Sequence, residues 1–167
     1  ALGVQKLYGV DFDKVDLSNL NRQLLYSEAD VGSLKTEAAK KRLDMFDSSI
    51  QFNTFQLEIK CAEDVEKLIK QYNIDFVFCA ADQPSIWIYK WINEACHRTK
   101  TAWIYGGNSE ASSYFQTIIP RETSCFNCRE LNLKQFSSEG YFKYSEVQKN
   151  GYATQNNCLA ATSSCIT

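Results

Sequence analysis

Short apolar segments of strand length alternate along the chain with segments of helical periodicity, and this alternation restricts the fold more than any other feature. The strand-like segments are residues 6–10, 50–57, 74–80, 102–105 and 114–119, and the helical ones between them are 36–46, 64–72 and 85–97. The run at 74–80, apolar except for Asp75, predicts a strand buried on both faces. The alternation therefore favours an α/β fold, with a mostly parallel sheet flanked by helices.

Composition excludes several classes of protein. The 167 residues suit one domain, and 18 basic against 20 acidic side chains give a net charge of −2. That balance provides no basic field for nucleic acid or an anionic membrane. No apolar run approaches the roughly 20 residues of a membrane span, and no signal peptide is recognisable. Seven cysteines cannot all pair as disulfides, so a reducing cytoplasm is expected.

Two acids follow predicted strands, where open α/β sheets bind ligands. Asp11 ends the first strand, a position from which an acid can bind a nucleotide ribose, although it could also be a solvated loop acid. Asp82 follows the apolar run at 74–80 and could hold Mg²⁺ shared with substrate phosphates. Its alternative role is to cap the helix that begins after Pro84.

A polar loop supplies candidate phosphate ligands. The segment Ser18-Asn19-Leu20-Asn21-Arg22-Gln23 is followed by Lys35 at the start of a predicted helix. The planar guanidinium of Arg22 and the compact ammonium of Lys35 could together neutralise a triphosphate. Ordinary surface charge is the alternative interpretation.

Cysteines 125 and 128 have the spacing of a metal-binding pair. Two thiolates in Cys125-x-x-Cys128 make half of a tetrahedral zinc site, and no second such pair occurs in these residues. A thioredoxin-like redox pair or two structural thiols are the alternatives.

In their order along the chain, these features resemble the ThiF/MoeB/HesA family, the bacterial relatives of ubiquitin-activating enzymes. The resemblance is carried by Asp11-Phe12-Asp13-x-Val15-x-x-Ser18-Asn19-Leu20-Asn21-Arg22-Gln23, Val31-Gly32-x-x-Lys35, Asp82 and Cys125-x-x-Cys128. It implies a Rossmann-like fold and ATP-dependent adenylation of the C-terminal carboxylate of a small ubiquitin-like protein or peptide. It also implies a homodimer.

The resemblance assigns roles by position. Asp11 is expected to bind the ATP ribose, with Asp13 beside the ribose or metal. Asn19, Arg22 and Lys35 are expected to bind and polarise the phosphates. Asp82 is the expected Mg²⁺ ligand. Cys125 and Cys128 are two expected ligands of a structural Zn²⁺.

The resemblance also fixes the expected organisation. Residues 1–167 are expected to form one incomplete adenylation domain, with 131–157 as a mobile crossover loop. No G-x-G-x-x-G motif occurs, so a first strand, its glycine loop and most of a helix are expected to be missing, and the fragment alone could be inactive. A helix is expected at 154–167.

Departures from the family pattern point to a branch and leave two alternatives open. Ala80-Ala81-Asp82-Gln83-Pro84 and Tyr105-Gly106-Gly107-Asn108 look closer to the peptide-modifying, microcin-type branch, whose substrate is a ribosomal peptide. One alternative is a non-catalytic partner subunit that binds a protein or peptide. The other is an NAD-dependent oxidoreductase, because Asp11 also suits an NAD ribose.

Overall fold

The computed structural model describes residues 4–108 and 113–136, which fall into two compact units, the first ending at Glu58 and the second beginning at Ile59. The predicted segment 154–167 and most of 131–157 lie outside the described residues. The prediction of a single domain over 1–167 stays a prediction.

The first unit pairs two parallel strands and carries one helix. Strands β1 (Lys6–Val10) and β2 (Gln51–Phe55) pair in parallel, with Tyr8 opposite Asn53. Helix α1 (Lys35–Phe46) joins them after a long loop, and its buried face consists of small residues at Thr36, Ala38 and Ala39. This strand–helix–strand crossover is the unit that the sequence predicts.

The second unit has a three-stranded sheet in the order β3–β4–β5. Its elements are α2 (Ala62–Tyr72), β3 (Phe76–Cys79), α3 (Trp87–Thr99), β4 (Ala102–Asn108), β5 (Ser113–Ile118) and α4 (Phe126–Phe136). Strands β3 and β4 are parallel, whereas β5 returns antiparallel to β4. The fold class predicted from the sequence, a mostly parallel sheet with flanking helices, is confirmed.

The core of the second unit lies between its sheet and α3. Its largest fully buried side chains are Trp103, Tyr105, Ile118 and Phe126. At the start of α2 the Asp64 carboxylate accepts the backbone N–H groups of Lys60 and Cys61, and after Tyr72 the helix is ended by Asn73 in the left-handed conformation. Helix α2 packs against α3.

Two expectations about this unit need correction. The strand in 74–80 is not buried on both faces: Phe78 exposes 72% of its surface, while Cys79 on the opposite face is buried. An apolar strand can be buried on both faces, but its composition does not show that another element packs on each face. In the described residues only one face of β3 is buried. Helix α4 also reaches Phe136, so residues 131–136 of the predicted loop are helical. Within the described residues, no helix is long and apolar enough to span a membrane.

Candidate functional site

The polar residues of the first unit gather where β1 ends. The backbone N–H of Asp11 still pairs with Phe55 O (3.2 Å), and its Oδ1 then accepts the backbone N–H of Asp13 at 2.8 Å. Asp11 therefore turns the chain immediately after the strand and holds Asp13 beside it. Tyr26 lies close enough for the Asp11 charge to act on it, although burial is the main reason that its pKa rises to about 12.

Lys35 is bound to Asp13 at both backbone and side chain. Its backbone N–H donates to Asp13 O at 3.0 Å, and its Nζ lies 2.8 Å from Asp13 Oδ2. The Lys35 side chain is only 13% exposed, so the ion pair fixes this ammonium at the first residue of α1. Sequence reasoning placed Asp13 near the ribose or metal, but it did not predict this pairing across the loop.

Gly32 explains the spacing of the Val31-Gly32-x-x-Lys35 motif. Its φ of +87° is a backbone conformation that favours glycine, and its N–H donates to Val15 O at 2.9 Å. Val15 in turn donates to Ser33 O at 2.9 Å and is buried. The loop between β1 and α1 is thereby closed at its base.

Asn19 and Arg22 lie on a separate turn of the same loop. The Asn19 Oδ1 accepts the Asp16 N–H at 3.0 Å, and the Asn19 carbonyl accepts the N–H of Arg22 at 3.1 Å. Arg22 Nη1 donates to Ser18 O and Asn21 Oδ1, at 3.0 and 2.9 Å. No carboxylate of the described residues forms an ion pair with Arg22, which leaves its guanidinium available to an anion.

Asp82 is exposed in the second unit, three residues beyond β3. Cys79 Sγ donates to Ala81 O at 3.6 Å in the turn that leads to it. The turn ends at buried Ile86, whose φ is +68°, directly before α3. A single exposed carboxylate suits Mg²⁺, because this ion is often held by one or two carboxylates together with substrate phosphates.

Cys125 and Cys128 stand together at the start of α4. Their Sγ atoms are 3.6 Å apart, close to the roughly 3.8 Å that two thiolates 2.3 Å from one tetrahedral zinc would have. Burial raises the pKa of Cys125, but hydrogen bonds from Cys128, Asn127 and Asn93 outweigh it and lower the pKa. The pair fits half of a zinc site, and the described residues offer no cluster of three or more metal-binding side chains.

Sequence reasoning missed a second polar group in this unit. Arg129, Tyr105, Tyr89 and Tyr114 are connected by hydrogen bonds and ring contacts. Nothing in the spacing of these residues links them, because they come from α4, β4, α3 and β5. The only signal available was the aromatic richness of 85–97 and 102–105.

Comparison with solved structures supports the class of fold. E. coli MccB in complex with MccA-N7isoASN superposes with a TM-score of 0.76 at 24% identity, over 98% of this chain and 46% of that one. E. coli MccB with ATP gives 0.72 at 25% identity, over 95% and 44% of the two chains. PaaA gives 0.72 at 21% identity, over 98% and 52%.

The family follows from sequence. The ThiF family model matches residues 1–161, and the chain belongs to this family. Ubiquitin-like modifier-activating enzyme 5 of Drosophila mojavensis is 31% identical over 137 residues, which cover 75% of this chain and 34% of that protein. Ubiquitin-like modifier-activating enzyme 5 of Culex quinquefasciatus is 32% identical over the same shares of the two chains. The chain thus spans about a third of the curated relatives' length.

Proposed function

We propose that the protein containing this chain uses ATP to adenylate the C-terminal carboxylate of a ubiquitin-like protein or ribosomal peptide. The observation that carries the proposal is the arrangement after β1. There Asp11 ends the strand, and Lys35 is fixed at the start of α1 through Asp13. Membership of the ThiF family supports the same chemistry.

The proposed reaction is a displacement at the α-phosphorus. A carboxylate oxygen forms a bond to that phosphorus while the bond to the bridging oxygen of the β-phosphate breaks, and the electron pair leaves with pyrophosphate. The product is an acyl-adenylate. No proton transfer is required, so catalysis consists of positioning and charge neutralisation.

The residues of the first unit have separate roles in this proposal. The Asp11 carboxylate accepts hydrogen bonds from the ribose hydroxyls. Arg22 offers a planar fork to phosphate oxygens. Asn19 binds the phosphates beside it, and its carbonyl accepts the Arg22 N–H in the turn that carries both. Lys35 supplies a point charge to the phosphates, and Asp13 keeps that charge in place until the nucleotide is bound.

Two metal ions complete the proposal. Mg²⁺ held by Asp82 would neutralise charge on the phosphates. Cys125 and Cys128 would provide two ligands of a structural zinc, with the other two from residues outside the described part of the chain. We also propose that the protein is a homodimer and is located in the cytoplasm.

The test is pyrophosphate exchange into ATP by the full-length protein, with a panel of candidate C-terminal peptides. Exchange that depends on one peptide is expected. Lys35→Ala should lower it by about 100-fold or more, because it removes one charge that stabilises the transition state. Lys40→Ala, an exposed lysine on the same helix, is the matched control and should retain full exchange.

Two results would contradict the proposal. Full exchange by Lys35→Ala would remove the role assigned to this ammonium. Mg·ATP binding without exchange, for every peptide in the panel, would favour the non-catalytic partner subunit. The match to the ThiF family model favours adenylation over an NAD-dependent oxidoreductase.

A further inference from the structure

Cys125 and Cys128 belong to one preformed turn at the start of α4. The Cys125 carbonyl accepts the backbone N–H of Arg129 at 3.2 Å, which is a helical hydrogen bond across four residues. The N–H of Phe126 donates to the side chain of buried Asn93 at 3.1 Å. The Phe126 side chain, between the two cysteines in sequence, is only 2% exposed. The backbone that carries both thiols is therefore held by contacts with α3 and within α4.

The two thiols lie within reach of each other. Their Sγ atoms are 3.6 Å apart, so a disulfide bond of about 2.05 Å requires them to approach by roughly 1.5 Å. Residues three apart in a helical turn have Cα atoms about 5 Å apart, inside the range of about 4.4–6.8 Å found across disulfides. Rotation of the two side chains can thus bring the sulfurs together while the turn keeps its backbone.

Access to solvent distinguishes this pair from the other cysteines of the described residues. Cys128 is exposed, and Cys125 is half-buried against the core. Cys79 and Cys96 are 8% and 0% exposed, which shields them from an oxidant dissolved in water. Cys61 is half-buried at the start of α2 and has no cysteine three residues away in the sequence. Within the described residues, solvent access and the spacing of a helical turn coincide at the pair alone.

We propose that Cys125 and Cys128 form a reversible oxidation site, which hydrogen peroxide converts into an intramolecular disulfide. This inference goes beyond the proposed adenylation and requires neither nucleotide nor substrate. The same two sulfurs are the proposed zinc ligands, and a disulfide no longer offers thiolates to a metal. Oxidation and zinc binding therefore exclude each other at this pair.

The oxidation takes two steps, and the exposed thiol of Cys128 reacts first. Its sulfur attacks one oxygen of hydrogen peroxide, the O–O bond breaks, and the leaving hydroxide takes the thiol proton as water, which leaves a sulfenic acid. The Cys125 sulfur then attacks the sulfenic sulfur. The S–S bond forms while the S–O bond breaks, and the departing hydroxide takes the Cys125 proton. Two thiols and one peroxide give one disulfide and two waters.

The test maps the disulfide in the full-length protein, with and without removal of metal by a chelator. The protein is treated with hydrogen peroxide, its free thiols are alkylated in denaturant, and its tryptic peptides are identified by mass spectrometry. Cleavage after Arg121 and Arg129 releases residues 122–129, whose only cysteines are Cys125 and Cys128. In the metal-free protein, peroxide should abolish alkylation of this peptide and remove two hydrogens from it. Dithiothreitol, added before alkylation, should restore both sites.

Zinc binding gives a second readout. The reduced protein should take up zinc, measured by elemental analysis after gel filtration. The peroxide-treated protein should lose that uptake until dithiothreitol is added. Zinc bound before the peroxide should slow formation of the disulfide, because the sulfur electron pairs are then shared with the metal.

Matched variants separate the pair from general oxidation. Cys61→Ser removes a thiol that is half-buried like Cys125 and should form the same disulfide within residues 122–129. Cys125→Ser removes the second thiol, so the disulfide should be lost and the sulfenic acid of Cys128 should be trapped by dimedone. Circular dichroism establishes that both variants are folded, and the mapping in the unaltered protein depends on neither.

Three results in the metal-free protein would overturn the inference. They are full alkylation of residues 122–129 after peroxide, oxidation to sulfinic acid without a disulfide, and a disulfide from this peptide to a different one. Zinc uptake by protein whose pair is oxidised would overturn it as well. Failure of the proposed zinc site shows separately, as no zinc in the reduced protein, and failure of adenylation shows as no pyrophosphate exchange.

Discussion

Asn93 is a buried amide that connects two helices. It lies in α3 and is 3% exposed, and its Oδ1 accepts the backbone N–H of Phe126 at 3.1 Å. It also forms one of the hydrogen bonds that lower the pKa of Cys125. One side chain therefore fixes the start of α4 and the thiol beside it.

Asn93→Ala should lower the free energy of unfolding by about 1–3 kcal/mol, because a buried N–H at Phe126 loses its acceptor. Urea unfolding followed by circular dichroism measures this. Asn127→Ala, at an exposed position of α4, is the control and should stay within about 0.5 kcal/mol of the unaltered protein. Equal stability of the two variants would show that the Asn93 contact is not needed.

At the residue scale, the sequence predicts which groups carry charge but not which groups they meet. Asp11 and Lys35 are identifiable from the end of a strand and the start of a helix. The ion pair of Lys35 with Asp13 joins residues 22 positions apart, and the contact of Arg129 with Tyr105 joins residues 24 apart. Such contacts depend on how loops and strands close, which local pattern does not determine.

Helices α2 and α3 are connected by a surface network around Arg98. Its guanidinium lies 2.9 Å from Glu63 and 3.1 Å from Glu66 on α2, and it also pairs with Glu94 on its own helix. The hydrogen bond from Arg98 is the main reason that the pKa of Glu63 falls below its ordinary value of 4.5. For Glu66, Lys70 contributes most and Arg98 second.

This network predicts a pH dependence of stability. A carboxylate with a lowered pKa in the folded state stabilises the protein above its unfolded pKa, and that contribution is lost as pH falls through the lower folded value. Arg98→Gln should therefore reduce the unfolding midpoint near neutral pH and have less effect at about pH 3. Thermal melts of both proteins at the two pH values measure it. A difference that grows toward acid would contradict the assignment.

At the element scale, periodicity predicted the five strands and three of the four described α-helices, but it missed α4. The predicted segments 36–46, 64–72 and 85–97 correspond to α1, α2 and α3, and all five predicted strands are present. These elements have clear apolar spacing, which the local sequence alone determines. The prediction that β3 is buried on both faces was wrong, because Phe76 and Phe78 are exposed among the described residues. Whether another element packs on that face of the strand is not determined by the local sequence.

At the scale of the whole molecule, the chain matches only part of the length of its relatives, about a third of the curated proteins. Among the described residues, some groups have only part of the set of partners that their proposed role requires. The paired thiols of Cys125 and Cys128 are the clearest case. Their separation suits one metal ion, which needs further ligands.

The full-length protein should carry one zinc per chain. Cys125→Ser combined with Cys128→Ser should abolish it and lower the melting temperature, since a structural zinc contributes to folding. Elemental analysis and thermal melts measure both effects. Cys61→Ser is the control, because serine serves at least as well as cysteine at the start of α2 and the Cys61 thiol forms no disulfide in the described residues. Zinc retained by the double variant would contradict the site.

The closed base of the loop between β1 and α1 has a consequence for how the family can vary. Asp13 and Lys35 are tied together, and Val15 meets Gly32 and Ser33, so the two ends of the loop are held whatever lies between them. Leu24 and Leu25 at its far side are exposed. Residues can therefore be inserted or deleted there at low entropic cost without shifting Lys35, and the outer loop can diverge between relatives while the ammonium stays in place.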